Sequence, residues 1–200
     1  VFVGVFTASL VARFFSMTGI DASAFTLQGE AAEGVAYEGE VLRQAIDVPY
    51  ITNEGVVETR QVLLCRPSDA EGELPLVYIP HYAAEEGTAD FQSYMAHGWA
   101  VASPVFQNEY NGELTGNDLV FNNAALHMLR NMEGIDRQSI AIVGGSAGGY
   151  MALMLSELQM GTCATIANSP IANIYYNLYV YLILKQNLQP IQTDHFLSHL

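Results

Sequence analysis

A glycine-rich stretch, Gly-Gly-Ser-Ala-Gly-Gly at residues 144–149, connects an apolar run at 139–144 to an apolar helical pattern at 146–159. Glycine tolerates close backbone approach and unusual dihedral angles, so this pattern predicts a tight turn between a buried strand and a helix. Turns of this kind cradle phosphates, bind dinucleotides or expose a reactive serine, and some have no chemical role. The residues in and around the turn decide between these alternatives.

The sequence around this turn predicts an α/β fold. Apolar runs typical of strands alternate with helical patterns, and the first three strands have the continuous apolar pattern of burial on both faces. The predicted strands are 74–80, 99–106, 139–144 and 163–170, and the predicted helices are 88–98, 117–134 and 146–159. This alternation favours a mostly parallel sheet with helices on both faces.

An antiparallel hairpin is predicted before the parallel part of the sheet. Residues 43–52 and 56–65 both have strand patterns, and Asn53-Glu54-Gly55 forms a short turn between them. The second run alternates polar and apolar residues, as a half-buried strand does. The predicted domain therefore covers residues 41–200.

Residues 1–40 differ in composition from the rest of the chain. Residues 1–12 are apolar and uncharged, Ala22-Ser23-Ala24 resembles a signal-peptide cleavage site, and 26–40 is an acidic linker. Because a membrane span needs about twenty residues, we interpret 1–24 as the remnant of a signal peptide or membrane anchor, with a buried helix or strand as the alternative. This interpretation favours an extracytoplasmic location, and the initial Val rather than Met leads us to expect a longer gene product.

Charge and cysteine content exclude several functional classes. The chain has 21 acidic and 7 basic residues, so a nucleic-acid backbone would be repelled. Cys65 and Cys163 each lie in an apolar predicted strand, where a free thiol behaves as a small hydrophobic group, so free thiols are favoured over a disulfide. No Cys and His residues have the spacing of a metal site, and we expect no metal or organic cofactor.

The residues of the glycine-rich turn fit one of its alternatives best. A phosphate-binding P-loop requires Lys after its last glycine, whereas Gly149 is followed by Tyr150. The dinucleotide pattern requires a glycine at position 146, which is Ser, and an acidic residue after the next strand, which is absent. Residues 144–148 instead match G-x-S-x-G between a strand and a helix.

This pattern predicts a nucleophilic serine. Ser146 would lie at a sharp bend, and the small residues Gly144 and Gly148 would relieve crowding between strand and helix. The bend would expose the Ser146 hydroxyl at the carboxyl end of the strand. The helix that follows would direct its N–H groups, beginning with Ala147, toward a developing oxyanion.

The segment GIDRQSIAIVGGSAGGYMAL, together with the order of elements, resembles the α/β-hydrolase superfamily over about residues 41–172. Its esterase/lipase and prolyl-oligopeptidase-like branches are the most similar. The resemblance implies a serine hydrolase that cleaves a small-molecule ester or a peptide through an acyl-enzyme on Ser146, without a cofactor. It also implies a second oxyanion donor after the strand 74–80, where Tyr82 is the first candidate and His81 the second; the alternative for Tyr82 is simple packing at the sheet edge.

The resemblance further implies an acid and a histidine after Ser146, each following a later strand. Residues 171–189 are apolar and aromatic, typical of a lid or of a buried helix, and no further strand precedes Asp194, His195 and His199. We therefore expect this chain to lack the acid and the base, as a piece of a larger hydrolase would. His97 and His127 lie in predicted helices and are interpreted as surface or packing residues.

Two other functions stay open from the sequence. One is a non-catalytic relative that keeps the turn for packing and acts as a binding module. The other is a dinucleotide-binding oxidoreductase.

Overall fold

A computed structural model describes residues 35–105, 116–158 and 161–171, all within the compact unit Gly34–Leu200. The elements in chain order are β1 (Val41–Ile51), β2 (Val57–Pro67), β3 (Leu74–Tyr78), α1 (Ala89–Ala96), β4 (Ala100–Pro104), α2 (Gly116–Arg130), β5 (Ile135–Gly145), α3 (Ala147–Leu158) and β6 (Ala164–Asn168). The predicted N-terminal anchor, most of the linker and the lid segment from 172 onward lie outside the described residues.

The strands form a six-stranded mixed sheet in the order β1-β2-β4-β3-β5-β6. β3 pairs in parallel with β4 and β5, and β5 pairs in parallel with β6. β1 and β2 are antiparallel, and β2 is antiparallel to β4. The predicted fold class, an α/β sheet preceded by a hairpin, is confirmed. The four parallel strands end at the same side of the sheet, which we call the carboxyl edge.

The hairpin agrees closely with the sequence. Its register runs from Val41 opposite Pro67 to Ile51 opposite Val57. Gly55 closes the turn with a φ of 81°, a left-handed conformation that favours glycine.

Helices cover both faces of the sheet, as predicted. On one face, α2 and α3 pack on alternate strand residues; this core includes Leu64, Leu76, Tyr78, Phe121, Leu126, Ile142, Met151 and Leu155. On the other face, α1 packs Phe91 and Met95 against Cys65, Val77 and Val101. Successive strand residues point to opposite faces, so the central strands are buried on both sides.

The helix signals near α1 are confirmed. The Thr88 side chain accepts a hydrogen bond from the Phe91 N–H at 3.3 Å, which caps the helix. Gly98 follows with a φ of 75°.

The predicted helix 117–134 is too long at its C-terminal end. α2 ends at Arg130, and the N–H groups of Asn131 and Met132 bond to carbonyls three residues earlier. These tighter turns lead to Gly134, whose φ is 82°. β5 starts directly after it, at Ile135, four residues before the predicted start at 139. A glycine in the left-handed conformation therefore ends the helix region and begins the strand.

The predicted strand at 163–170 is present as β6, and it lies at the edge of the described sheet. β6 alternates between exposed and half-buried residues, and Ile166 is 53% exposed. β6 pairs only with β5 in the described part of the sheet, so one of its sides has no neighbouring strand there. Both cysteines are free, as expected; Cys65 is buried in β2 and Cys163 is exposed.

Candidate active site

The carboxyl edge brings together two segments that the sequence singled out. The first is the turn at residues 144–149 between β5 and α3, which we call the serine turn. The second is the loop after β3, residues 79–88, which we call the Tyr82 loop. A third segment, the turn that follows β6, contacts the serine turn and was not identified from the sequence.

The predicted sharp bend at residue 146 is present. Ser146 is exposed, lies between the last residue of β5 and the first residue of α3, and has a φ of 51°. A left-handed conformation is unfavourable for a residue with a side chain, and such residues persist where the surrounding structure holds them.

The turn after β6 holds the backbone of Ser146. The Ser146 N–H donates to the Asn168 carbonyl oxygen at 2.9 Å, and the Ser146 carbonyl oxygen accepts from Ile171 N–H at 3.3 Å. Ser169, between these partners, also has a positive φ, 46°. The only sequence signal for this turn is the Ser169-Pro170 pair at the end of a predicted strand.

The glycines of the serine turn have different neighbours. A Cβ on Gly144 would overlap the carbonyl group of Gly148 and lie 2.9 Å from the Gly149 nitrogen. A Cβ on Gly149 would lie 3.1 Å from Pro170. β5 and α3 therefore approach closely at Gly144, and α3 approaches the turn after β6 at Gly149. By contrast, a Cβ on Gly145 would meet its nearest atom at 3.8 Å, an ordinary contact.

Gly148 has a different role from the one expected. The sequence predicted that its small size would relieve the strand–helix crossing. A Cβ on Gly148 would instead meet Tyr82 Cδ2 at 3.3 Å and His81 Cβ at 3.4 Å. Because Gly148 has no side chain, the Tyr82 loop can pack against it. The close approach of strand and helix involves its backbone instead, since the Gly148 carbonyl group lies against Gly144.

The N-terminus of α3 supplies main-chain donors at the carboxyl edge. The first intrahelical bond runs from Tyr150 N–H to the Ser146 carbonyl oxygen at 3.1 Å. The N–H groups of Ala147, Gly148 and Gly149 precede it, and such groups have no carbonyl partner within a helix. The N-terminus of a helix also favours negative charge.

Tyr82 and His81 lie beside this helix terminus. The Tyr82 side chain is 37% exposed and its ring packs on the Gly148 backbone. The His81 ring makes an edge-to-face contact with it, with centroids 4.6 Å apart. His81 is buried, and this burial lowers the pKa of its imidazole.

A buried polar network underlies the start of the Tyr82 loop. The Tyr78 hydroxyl, at the end of β3, donates to Asn122 Oδ1 at 2.6 Å. Asn122 Nδ2 donates to the Asp118 carbonyl oxygen at 2.8 Å, and Asp118 forms an ion pair with Arg60 at 2.6 Å. Asn122 is itself buried in α2.

A cavity of about 20 Å³ lies next to this network, and its lining includes His81, Asp118 and Asn122. This volume is close to that of one water molecule. This cavity is therefore too small to hold a substrate.

Among the described histidines, only His81 lies at the carboxyl edge. His97 and His127 are exposed and lie near the C-terminal ends of α1 and α2, at the edge of the sheet opposite the carboxyl edge. No described side chain forms a hydrogen bond with the Ser146 hydroxyl. Asp194, His195 and His199 lie outside the described residues.

The described residues show neither a metal-binding cluster nor a helix that could span a membrane. They contain no group of three or more His, Cys, Asp or Glu side chains that could hold a metal ion. None of their helices is both long and apolar enough to cross a bilayer. Membrane anchoring and an extracytoplasmic location rest on residues 1–24 and stay predictions.

The arrangement of strand, exposed serine and helix can be compared with known families. The model of the prolyl oligopeptidase family matches residues 82–184, just over half of the chain. The chain belongs to the prolyl oligopeptidase family. The match begins at Tyr82, so it includes most of the Tyr82 loop and the whole serine turn.

Solved structures show the same fold for this family member. Brefeldin A esterase, a bacterial homologue of human hormone-sensitive lipase, is 18% identical, with a TM-score of 0.52 over 86% of this chain and 53% of that chain. Prolyl oligopeptidase B from Galerina marginata is 15% identical, with a TM-score of 0.50 over 66% of this chain and 21% of that chain. Puromycin hydrolase is 18% identical, with a TM-score of 0.50 over 66% of this chain and 23% of that chain.

These similarities establish the α/β-hydrolase fold, in agreement with the predicted resemblance. The chain spans about half the length of the esterase and less than a quarter of the two other structures. No curated protein sequence matches the chain.

Proposed function

We propose that the protein is a serine hydrolase that transfers the acyl group of an ester or a peptide to Ser146. The observation that carries this proposal is the exposed Ser146 at a φ of 51° directly before the N-terminus of α3. Family membership supports a hydrolase over a dinucleotide-binding oxidoreductase.

The reaction would proceed in two acyl-transfer steps. The Ser146 oxygen attacks the substrate carbonyl carbon while a histidine accepts the hydroxyl proton. The tetrahedral intermediate then expels an alcohol or an amine, which takes that proton, and leaves an acyl-enzyme. Water attacks the acyl carbon in the second step, the bond from that carbon to the Ser146 oxygen breaks, and the carboxylic acid leaves the free serine. We expect the histidine and its carboxylate partner outside the described residues.

The negative oxygen of each tetrahedral intermediate needs hydrogen-bond donors. We assign one to Ala147 N–H, at the N-terminus of α3, and one to the Tyr82 hydroxyl. The packing of Tyr82 on Gly148, two residues after Ser146, supports this assignment. A single donor of this kind contributes about 10²- to 10³-fold in rate in other serine hydrolases.

Labelling with a fluorophosphonate probe tests the nucleophile, in the full-length protein that carries this sequence. We expect one adduct on Ser146 and none in Ser146→Ala. Ser169→Ala is a matched control, because Ser169 is exposed, has a similar φ and lies in the adjacent turn; it should keep the adduct.

A folded protein that gives no adduct, or an adduct that persists in Ser146→Ala, would refute the proposal. The first result would favour the non-catalytic binding module. Parallel assays with a 4-nitrophenyl ester and a peptide 4-nitroanilide show which leaving group the labelled protein accepts.

A further inference from the structure

Ser103 is an unusual residue for its position. It lies near the end of β4 and is only 2% exposed, after the apolar residues Ala100, Val101 and Ala102. A buried hydroxyl costs free energy unless it forms a hydrogen bond. Its presence in the strand therefore calls for a partner.

The partner of Ser103 is the Tyr82 loop. Ala84 N–H donates to Ser103 Oγ at 3.0 Å. Earlier in the same loop, Ile79 N–H donates to the Ala102 carbonyl oxygen at 2.8 Å. β4 thus holds the loop at two points, one on each side of Tyr82.

The other contacts of the loop are less able to fix Tyr82. Arg43 forms a salt bridge with Glu86, but both side chains are more than a third exposed, and exposed pairs restrain little. The bond from Tyr78 to Asn122 holds β3 before the loop begins. Among the residues that the structure describes, only Ser103 contributes a side-chain hydrogen bond to the loop within two residues of Tyr82.

Geometry decides how much an oxyanion donor contributes. Catalytic groups need to lie within about 0.5 Å of their productive positions. The Tyr82 ring is confined on one side by Gly148 and is followed, two residues later, by the bond to Ser103. Loss of that bond would let the loop and the ring move away from the serine turn.

We propose that Ser103 is a positioning residue that holds Tyr82 against the N-terminus of α3, so that the Tyr82 hydroxyl reaches the oxyanion. This inference rests on the proposed function of Ser146 and Tyr82. Ser103 itself touches neither the substrate nor the reacting atoms.

A double-mutant cycle on the full-length protein tests this role. The variants are Ser103→Ala, Tyr82→Phe and their combination, and the readouts are the fluorophosphonate labelling rate and kcat and KM for 4-nitrophenyl acetate. We expect Tyr82→Phe to lower kcat by about 10²-fold. Ser103→Ala should lower kcat by about 10-fold with little change in KM. In the Tyr82→Phe background, Ser103→Ala should have no further effect.

Val101→Ala is the matched control. Val101 is fully buried in the same strand and on the same face as Ser103, but the substitution keeps the bond to Ala84. Any effect of this variant on kcat should be equal in both backgrounds, because it does not act through the Tyr82 hydroxyl.

Different results would overturn the roles proposed for Ser103, Tyr82 and Ser146. An equal effect of Ser103→Ala in both backgrounds would make Ser103 a purely structural residue. A Tyr82→Phe variant with unchanged kcat would remove Tyr82 from the oxyanion hole and the positioning role with it, while Ser146 labelling would still stand. Absence of Ser146 labelling in the unmodified protein would overturn the proposed function as well.

Discussion

The serine turn and the Tyr82 loop lie side by side at the carboxyl edge, but they are held in different ways. The serine turn is held by the main chain: Ser146 bonds through its N–H and carbonyl groups, and Gly144 packs on the Gly148 carbonyl. The Tyr82 loop is attached to β4 by one main-chain bond, from Ile79 N–H, and by one side chain, Ser103, which accepts from Ala84 N–H.

This difference determines how each segment should respond to mutation. At Gly144 the main-chain packing leaves no space for an added atom, so a single methyl group there should disturb the fold. Side-chain bonds can be lost one at a time, so substitutions around the Tyr82 loop should change stability or rate in smaller steps.

The largest effect is expected for Gly144→Ala. The new methyl group would overlap the Gly148 carbonyl group and force β5 and α3 apart. We expect the free energy of unfolding to fall by about 3 kcal/mol or more, measured by denaturant unfolding with circular dichroism.

Gly145→Ala is the control for that experiment, since its methyl group would meet nothing closer than 3.8 Å. It should change stability by less than about 1 kcal/mol. Equal losses for the two variants would show that glycine content, rather than the contact at Gly144, stabilises the serine turn.

An intermediate effect is expected for Tyr78→Phe, at the start of the Tyr82 loop. The change removes the donor to buried Asn122 Oδ1 and leaves that oxygen unsatisfied. We expect a loss of about 1–3 kcal/mol in the free energy of unfolding.

Tyr94→Phe provides the matched control, because the half-buried Tyr94 ring stacks on Trp99 and its hydroxyl bonds to no described residue. Its loss should stay within about 0.5 kcal/mol. If Tyr78→Phe lowered the free energy of unfolding by no more than Tyr94→Phe, the network beneath the loop would not contribute to stability.

The smallest effect is a pH dependence that arises from His81. Burial lowers the pKa of His81 in the folded protein, whereas an unfolded histidine titrates near about 6.5. As the pH falls below that value, the unfolded chain binds the proton first, so the folded state loses stability until the pH passes the folded pKa.

His81→Gln should therefore lose less stability than the unmodified protein between pH 7.5 and pH 5.5, as measured by urea midpoints. Tyr82→Phe, which keeps the imidazole, should follow the unmodified protein. Parallel pH dependence in the unmodified protein and His81→Gln would argue against a buried neutral His81.

Most of the fold could be predicted because its signals are local. The alternation of apolar runs and helical patterns gave the order of elements, and Gly55 and Thr88 have the conformations that their residue types favour. The main error was the boundary between α2 and β5, where tight turns before Gly134 end the helix earlier than its apolar pattern indicated. The exposure of Ile166 depends on which strands lie beside β6, and no local pattern contains that information.

Less of the candidate site could be predicted. The G-x-S-x-G pattern located the bend at Ser146, because a strand and a helix can meet so closely only where residues are small. The sequence did not indicate that Asn168 and Ile171 hold this bend, or that Ser103 bonds to the Tyr82 loop. These partners are far from the residues they hold in the chain and have ordinary side chains.

The sequence by itself determined the alternation of strands and helices and the tight bend at Ser146, since both follow from side-chain size and backbone preference within a few residues. Only the tertiary structure decided which residues meet at the carboxyl edge. The packing of Gly148 on Tyr82 and the bond between Ser103 and Ala84 exist because parallel strands that are distant in sequence end side by side.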